Sequence, residues 1–420
     1  MRVSISTKFY IEELSLPDNV DVALVKPSVK EIRKSQEKDI IDKALSNPVS
    51  ALPFEEYLEN KKSLLFIVND ATRATPTSII LKTLLPIVKE HGISNINAIV
   101  ATGTHRPPIE SELKRIFGES YELFRNRIYI HSSIDKSMLS YYGNTTRGTK
   151  VYVNKLIKTF DGIIVIGSTE PHYFAGYTGG RKGIVPGIAG YETIEQNHKF
   201  ALDDNAKILK LSGNPVHEDL VDAVQLVIEK SNIDVYSINT VVNSQGQLYA
   251  VTVGDLFAAH LKSVQYANDI FVKKVNHKFD VLIAVVYPPL DINFYQSHKA
   301  LENVKMVVKE HGTIVLISRC HEGIGPSNYY NLFLKIKYLS NPLEYVKKNY
   351  KLGYHKTIKL MQLTNNYHIY VISELNPTVI RNMNMNPARC VREILDKCNL
   401  SNISCIGIVN DAGIIVPIKL

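Results

Sequence analysis

Short runs of β-branched and other apolar residues recur along the chain, most closing on a small or polar cluster. Leu64–Val68 runs into Asn69-Asp70, Ile96–Val100 into Ala101-Thr102-Gly103, and Gly162–Ile166 into Gly167-Ser168. Further on come Val281–Val286 before Tyr287-Pro288, then Thr313–Ser318, then Ile403–Val409 before Asn410-Asp411. Such largely apolar runs suit strands covered on both faces, as in a parallel sheet. Helical patterns lie between them. Pro76–His91 (PTSIILKTLLPIVKEH) is one, which Pro86 should kink or split. Asn214–Lys230 is another, opened by Asn-Pro, a favourable helix start. Alternating strands and helices predict an α/β class. In open α/β sheets ligands sit beyond the carboxyl ends of the strands, where these polar clusters fall.

At 420 residues the chain is too long for one ordinary core, so two domains are expected. The polar, helix-like stretch His260–Lys278 precedes a new strand at Asp280 and suggests the boundary. The expectation is two α/β domains with mainly parallel sheets and the active site in the cleft between them. Residues 1–270 form a cofactor-binding and catalytic domain, and residues 271–403 a substrate-capping domain. Residues 404–420 read as strand, Asn-Asp-Ala-Gly turn and strand, packing back on the first domain.

Composition narrows the function classes. Lys and Arg number 49 against 41 Asp and Glu, a mild excess of +8 with no long basic run. This fits a solvated basic surface or attraction of carboxylates and phosphates. No recognition motif accompanies it, so nucleic acid is not expected as a partner. The four cysteines form no CxxC pair, which argues against a thiolate metal cage or a secreted disulfide scaffold. The start, MRVSISTKFYIEE, does not read as a signal peptide, and no apolar run reaches ~18 residues. A cytoplasmic protein without membrane partners is expected.

Four segments carry candidate chemistry. The first is Asn69-Asp70-Ala71-Thr72-Arg73-Ala74-Thr75-Pro76, an acid and a guanidinium at a strand end. The Arg fork matches a carboxylate. The plain alternative is a capped turn in which Asp70 and Arg73 pair with each other. The second is Ala101-Thr102-Gly103-Thr104-His105-Arg106-Pro107-Pro108, with His105 placed as an acid or base; a loop histidine with a structural hydrogen bond is the alternative. The third is PHYFAGYTGGRKGIVPGIAGYETIEQNHKF, Pro171 to Phe200, holding His172, Arg181, Lys182, Glu192 and His198. Its glycines suit a loop that wraps a ligand with backbone N–H groups, or simply a flexible loop. It fits neither GxGxxG nor the Walker pattern. The fourth is Asn293-Phe294-Tyr295-Gln296-Ser297-His298-Lys299-Ala300-Leu301-Glu302, where Gln296 and Lys299 share a helical face and could hold a carboxylate. A solvated helix start is the alternative there, and on a helix His298 would point away from Lys299. His131, His217, His311 and His321 lack companion motifs and read as structural.

Together and in this order, the four segments resemble the nickel-pincer-nucleotide-dependent lactate racemase family, over residues of about 65 to 305. The resemblance implies His105, in GTHRP, and His172, in EPHYFAGYTGGRKG, as the two catalytic histidines. It implies Lys182 as the covalent anchor of the cofactor through a thioamide, and His198, in EQNHKF, as the protein ligand to nickel. Asp70, Ala71, Thr72 and Arg73, with Pro186, match residues lining the cofactor. Arg73, Gln296 and Lys299 match residues that bind substrate. The implied cofactor is a pyridinium-3,5-bisthiocarboxylic acid mononucleotide nickel complex. The implied activity is racemisation or epimerisation of a 2-hydroxy acid, lactate or a relative, by transient hydride transfer. The implied partners are that substrate and, in passing, cofactor-biosynthesis proteins, for a monomer or homodimer. Two other readings stay open on the residues alone. One is a nicotinamide dehydrogenase or metallohydrolase, although GxGxxG is missing. The other is a non-catalytic carrier of the pincer nucleotide, against which both His105 and His172 speak.

Overall fold

The computed structural model describes residues 2–27, 36–398 and 403–420. The chain divides into two compact units, Ser28–Ile270 and Met1–Pro27 with Phe271–Leu420. Among the described residues no helix is long and apolar enough to cross a membrane.

The first unit is built on six strands: β1 (Ser63–Asn69), β2 (Asn95–Ala101), β3 (Ile128–Ile130), β4 (Gly162–Ser168), β5 (Asp234–Val242) and β6 (Leu248–Gly254). Their spatial order is β6-β5-β4-β1-β2-β3, parallel except for the β5–β6 pair. The chain first builds outward from β1 through β2 to β3. It then returns to the other side of β1 and builds outward from β4. The order therefore reverses between β1 and β4, where ligands bind in open α/β sheets. The central strands are buried on both faces, as their apolar runs predict. Helix α1 (Thr77–Glu90) covers them with Ile80, Leu81, Leu84 and Val88. It runs on through Pro86, which does not split it. Pro86 and Lys82 both face solvent, so the carbonyl that loses its helical partner has water available. Helices α2 (Tyr191–Lys199), α3 (Pro215–Ser231) and α4 (Ala258–Phe271) follow. Asn214 caps α3 by accepting from the Val216 and His217 N–H groups.

The second unit holds an all-parallel sheet of β7 (Phe279–Val285), β8 (Val308–Ile317), β9 (His368–Ile372), β10 (Asn386–Pro387) and β11 (Cys405–Val409). Its order is β10-β9-β8-β7-β11, with Asp21–Val25 as the far edge strand. Helices α5 (Phe294–Val304), α6 (Ser327–Ile336) and α7 (Tyr354–Asn366) accompany it.

Both chain ends differ from the expected division. The strand of residues 404–420 does not return to the first unit; β11 lies between β7 and Asp21–Val25. The first 27 residues belong to the second unit for the same reason. The polar stretch after His260 is also mixed. It leaves α4 to form the strand Val272–Val275, which pairs in parallel with Val416–Lys419. All three differences arise from strand pairing between segments remote in sequence, which local pattern does not encode.

Candidate active site

Three of the four candidate segments follow adjacent strands β4, β1 and β2, so the sheet brings them to one edge. Two contacts fix them to one another. Asn69 Oδ1 accepts from Thr75 Oγ1 at 2.8 Å and from the Ser168 N–H at 3.3 Å. The Gly103 N–H donates to the Gly187 carbonyl at 2.9 Å, which ties the His105 loop to the glycine-rich segment near Pro186.

Asp70 and Arg73 do not pair through their side chains. Asp70 Oδ2 lies 2.7 Å from His105 Nδ1, while Oδ1 accepts from Thr72 Oγ1 at 2.6 Å and from the Thr72 N–H at 3.1 Å. Burial alone would raise the Asp70 carboxyl, but the contacts from His105 and Thr72 outweigh it and hold Asp70 below the ordinary aspartate range. The acceptor fixes the tautomer of His105: its proton sits on Nδ1 and Nε2 keeps a lone pair. The ring is about half exposed, with 51% of its side chain accessible. Arg73 is part-buried and takes no carboxylate among the described residues.

His172 has the opposite arrangement. It opens a small hairpin, Pro171–His172 against Gly176–Tyr177, and its Nδ1 accepts from the Ala175 N–H at 3.3 Å. A neutral His172 therefore carries its proton on Nε2. Phe174 gathers the remaining groups. Its ring is perpendicular to His172 at 4.5 Å, lies 5.1 Å from the His198 ring, and is 5.9 Å from Lys182 Nζ. The carbonyl of Phe174 is held by Asn214, the cap of α3. No motif reading singled out Phe174, although it lies in the matched segment.

His198 is part-buried on α2. Burial, then the Lys182 charge, push its imidazole down to about 3, so it is neutral at physiological pH, the form that ligates a metal. Its neighbour Asn197 is fixed to Asp219 of α3 at 2.8 Å. His217, expected to be merely structural, also lies within reach of these charges. Burial, then Arg181 and Lys182, push it down to about 3, and its buried Nδ1 has no hydrogen-bond partner among the described residues. His131 does fit a structural role, bonded to the Ala189 carbonyl at 2.9 Å and to Asn154 at 3.2 Å.

The glycine-rich loop spends several of its backbone donors inside the protein rather than on a ligand. Thr178, Gly180, Lys182 and Gly187 N–H groups donate to Glu170, Asn239, Gly179 and Lys182 oxygens. Its glycines permit close packing: a Cβ at Gly176 would lie 2.2 Å from the Lys210 carbonyl oxygen, and one at Gly187 2.2 Å from that of Gly183. Beneath the loop Arg181 is fully buried, donating to the carbonyls of Ala175, Tyr177 and Gly179 with His260 Nε2 at 3.0 Å. Burial pushes its guanidinium down to about 9.

Gln296 and Lys299 lie on α5 of the second unit, part-buried one helical turn apart. His298 points away from them into the core, as a helix requires.

Comparison with known proteins places the chain in a family. Residues 9–209 match the lactate racemase N-terminal domain, and residues 275–416 the lactate racemase C-terminal domain. The chain is 30% identical to the lactate racemase of Thermoanaerobacterium thermosaccharolyticum over 397 residues, 91% of each chain. It is 29% identical to that of Lactiplantibacillus plantarum over 392 residues, 90% of each. The structure of the T. thermosaccharolyticum lactate racemase apoprotein superposes with a TM-score of 0.88 at 27% identity, covering 99% of this chain and 100% of that one. A Thermotoga maritima protein at 18% identity shares the fold, with a TM-score of 0.69 over 93% of this chain and 99% of that one. On sequence and structure alike, this chain is an isomerase of the lactate racemase family.

Proposed function

We propose that the protein racemises lactate or a closely related 2-hydroxy carboxylate on a nickel-pincer nucleotide, with His105 and His172 as the acid-base pair. The observation that carries this reading is the Asp70–His105 pair, which leaves the Nε2 lone pair of His105 for a substrate hydroxyl. Nδ1 of His105 gives its proton to Asp70, whereas Nδ1 of His172 accepts one from Ala175.

The residues suit such a cofactor. Lys182 and His198 flank the same Phe174 ring, one offering an amine for attachment and the other a neutral imidazole for the metal. Among the described residues no group of three His, Cys, Asp or Glu side chains could hold a metal by itself. A group that brings its own sulfur and carbon donors needs only one imidazole from the protein, and soft donors with an imidazole suit nickel. When bound, the nucleotide supplies a reversible acceptor for the C2 hydride, which avoids a carbanion at a weakly acidic carbon.

The chain's own residues handle protons and orientation. The Nε2 lone pair of His105 takes the hydroxyl proton of one enantiomer, and Asp70 keeps that imidazole in the required tautomer. The resulting 2-oxo acid is planar at C2 and can be reduced on either face. His172 serves the other enantiomer as the imidazolium, its Nδ1 then protonated and released from the Ala175 N–H, and gives its Nε2 proton to the oxygen of the re-formed hydroxyl; the roles exchange in the reverse direction. Arg73, Gln296 and Lys299 hold the carboxylate throughout.

The test is a chiral assay of lactate with protein produced alongside the cofactor pathway, together with intact mass and nickel analysis. Interconversion of D- and L-lactate, with a mass adduct on the Lys182 peptide, is expected. Nickel-loaded, adduct-bearing protein that interconverts neither lactate nor related 2-hydroxy acids would refute the reading.

A further inference from the structure

Behind Gln296 and Lys299, helix α5 is held by a buried polar set. His298 is fully buried, its Nδ1 3.1 Å from the Tyr329 hydroxyl of α6 and its Nε2 3.6 Å from Glu302. Glu302 also pairs with Lys305 at 2.7 Å. Tyr329 stands edge-on to Tyr295, with ring centroids 5.2 Å apart. Lys356, in the first turn of α7, is 2% exposed. Its ammonium donates to the Tyr295 carbonyl and lies 3.7 Å from the centroid of the Tyr295 ring. Tyr295 is wedged from another side as well. A Cβ at Gly325 would come within 2.6 Å of the Tyr295 Cβ.

The place of this contact matters. In an α-helix the Tyr295 carbonyl is the acceptor for the Lys299 N–H, and Gln296 is the next residue along. Tyr295 and Lys299 lie four residues apart, on one helix face. Lys356 thus grips the turn that presents both proposed carboxylate ligands. Fold stability alone is a poor reason for a lysine here. Burial, then the nearby Lys299, push its ammonium well below the ordinary lysine range. A buried charge replaced by an apolar residue of like shape often leaves stability unchanged or higher.

We propose that Lys356 is a positioning residue for substrate: by clamping Tyr295 it fixes the turn carrying Gln296 and Lys299, and so the geometry of the carboxylate grip. This rests on the reading that Gln296 and Lys299 hold the substrate carboxylate.

The test is steady-state kinetics of lactate interconversion with the cofactor-loaded protein and its Lys356→Met, Lys356→Gln and Lys299→Met variants, each with a melting temperature. Lys356→Met keeps the stem and removes the donor. Its KM should rise at least ~10-fold, with kcat within ~3-fold and the melting temperature unchanged or raised. Lys356→Gln retains a donor of shorter reach, so its KM should rise at least ~3-fold; it decides the matter should the methionine variant not fold. A folded Lys356 variant whose KM stays within twofold of the parent overturns the proposal, whatever its melting temperature. If Lys299→Met raises KM while Lys356→Met does not, only the positioning role falls. If Lys299→Met leaves KM unchanged, the carboxylate grip itself is misassigned and the role of Lys356 falls with it.

Discussion

The same five residues, Ile-Val-Asn-Asp-Ala, end a parallel strand in each unit, at Ile67–Ala71 and at Ile408–Ala412. The aspartates behave oppositely. Asp70 meets His105 and Thr72 and is held below the ordinary aspartate range. Asp411, in a left-handed backbone conformation with φ 61°, meets no such donors among the described residues, and burial raises it to about 6. Five identical residues on comparable strands thus acquire different chemistry. The neighbouring strand decides: β2 delivers His105 to Asp70, and among the described residues no histidine pairs with Asp411. A strand-end motif is an opportunity, and a site forms only where the sheet supplies the partner.

The strongest way to break this comparison is to remove the residues proposed to make the first copy a site. His198→Ala should leave the protein folded but strip nickel, with turnover lost altogether; metal analysis and the chiral assay read the two effects separately. His105→Ala and His172→Ala should keep nickel and the Lys182 adduct yet lose roughly 10²–10⁴-fold in kcat. Retained activity in either would mean that His105 and His172 are not the acid-base pair.

The aspartates give the sharper contrast. Asp70→Asn preserves shape but cannot enforce the His105 tautomer, and kcat should drop on the order of 10²-fold or more. Asp411→Asn should leave kcat within about 3-fold, since catalysis asks nothing of it in this account. Equal losses at both positions would erase the distinction drawn here.

The smallest effect is on stability, and its sign differs between the two copies. The folded Asp70 carboxyl lies below its ordinary value of 3.8, so its contribution is present above that pH and is lost as the pH falls through the folded value. The folded Asp411 carboxyl is raised to about 6, so its contribution is present below 3.8 and is lost as the pH rises through about 6. Asp411→Asn should therefore raise the melting temperature by ~2–4 °C at pH 7.5, with the gain gone by pH 4. Asparagine also tolerates the left-handed backbone. Calorimetry at the two pH values checks this.

Much of the first unit's site was legible because its chemistry is local. Each cluster sits directly after an apolar run, so Asp70, His105 and His172 could be placed at strand ends from sequence, and the reversal between β1 and β4 brings those ends together. The Asp70–His105 contact itself was not legible. Pairing Asp70 with Arg73 was the simple local alternative, and the true partner is 35 residues away. The glycine run suggested a ligand cradle, whereas packing against Lys210 and Gly183 explains two of its glycines. His217 and Lys356 carry no local signal at all. Their meaning comes from Arg181 and Lys182 in one case and Tyr295 in the other, all remote in sequence. The two chain ends were misplaced because β11 finds its partners in β7 and Asp21–Val25.

The central claim is that C2 of the substrate gives up and regains a hydride while His105 and His172 move only the hydroxyl proton. The most direct measurement is racemisation of L-lactate by the cofactor-loaded enzyme in D₂O, followed by chiral separation and mass analysis. The account predicts an approach to equal enantiomers with no deuterium at C2. A solvent deuteron at C2 of the D-lactate formed would mean that a histidine removes the C2 proton directly, and would contradict it.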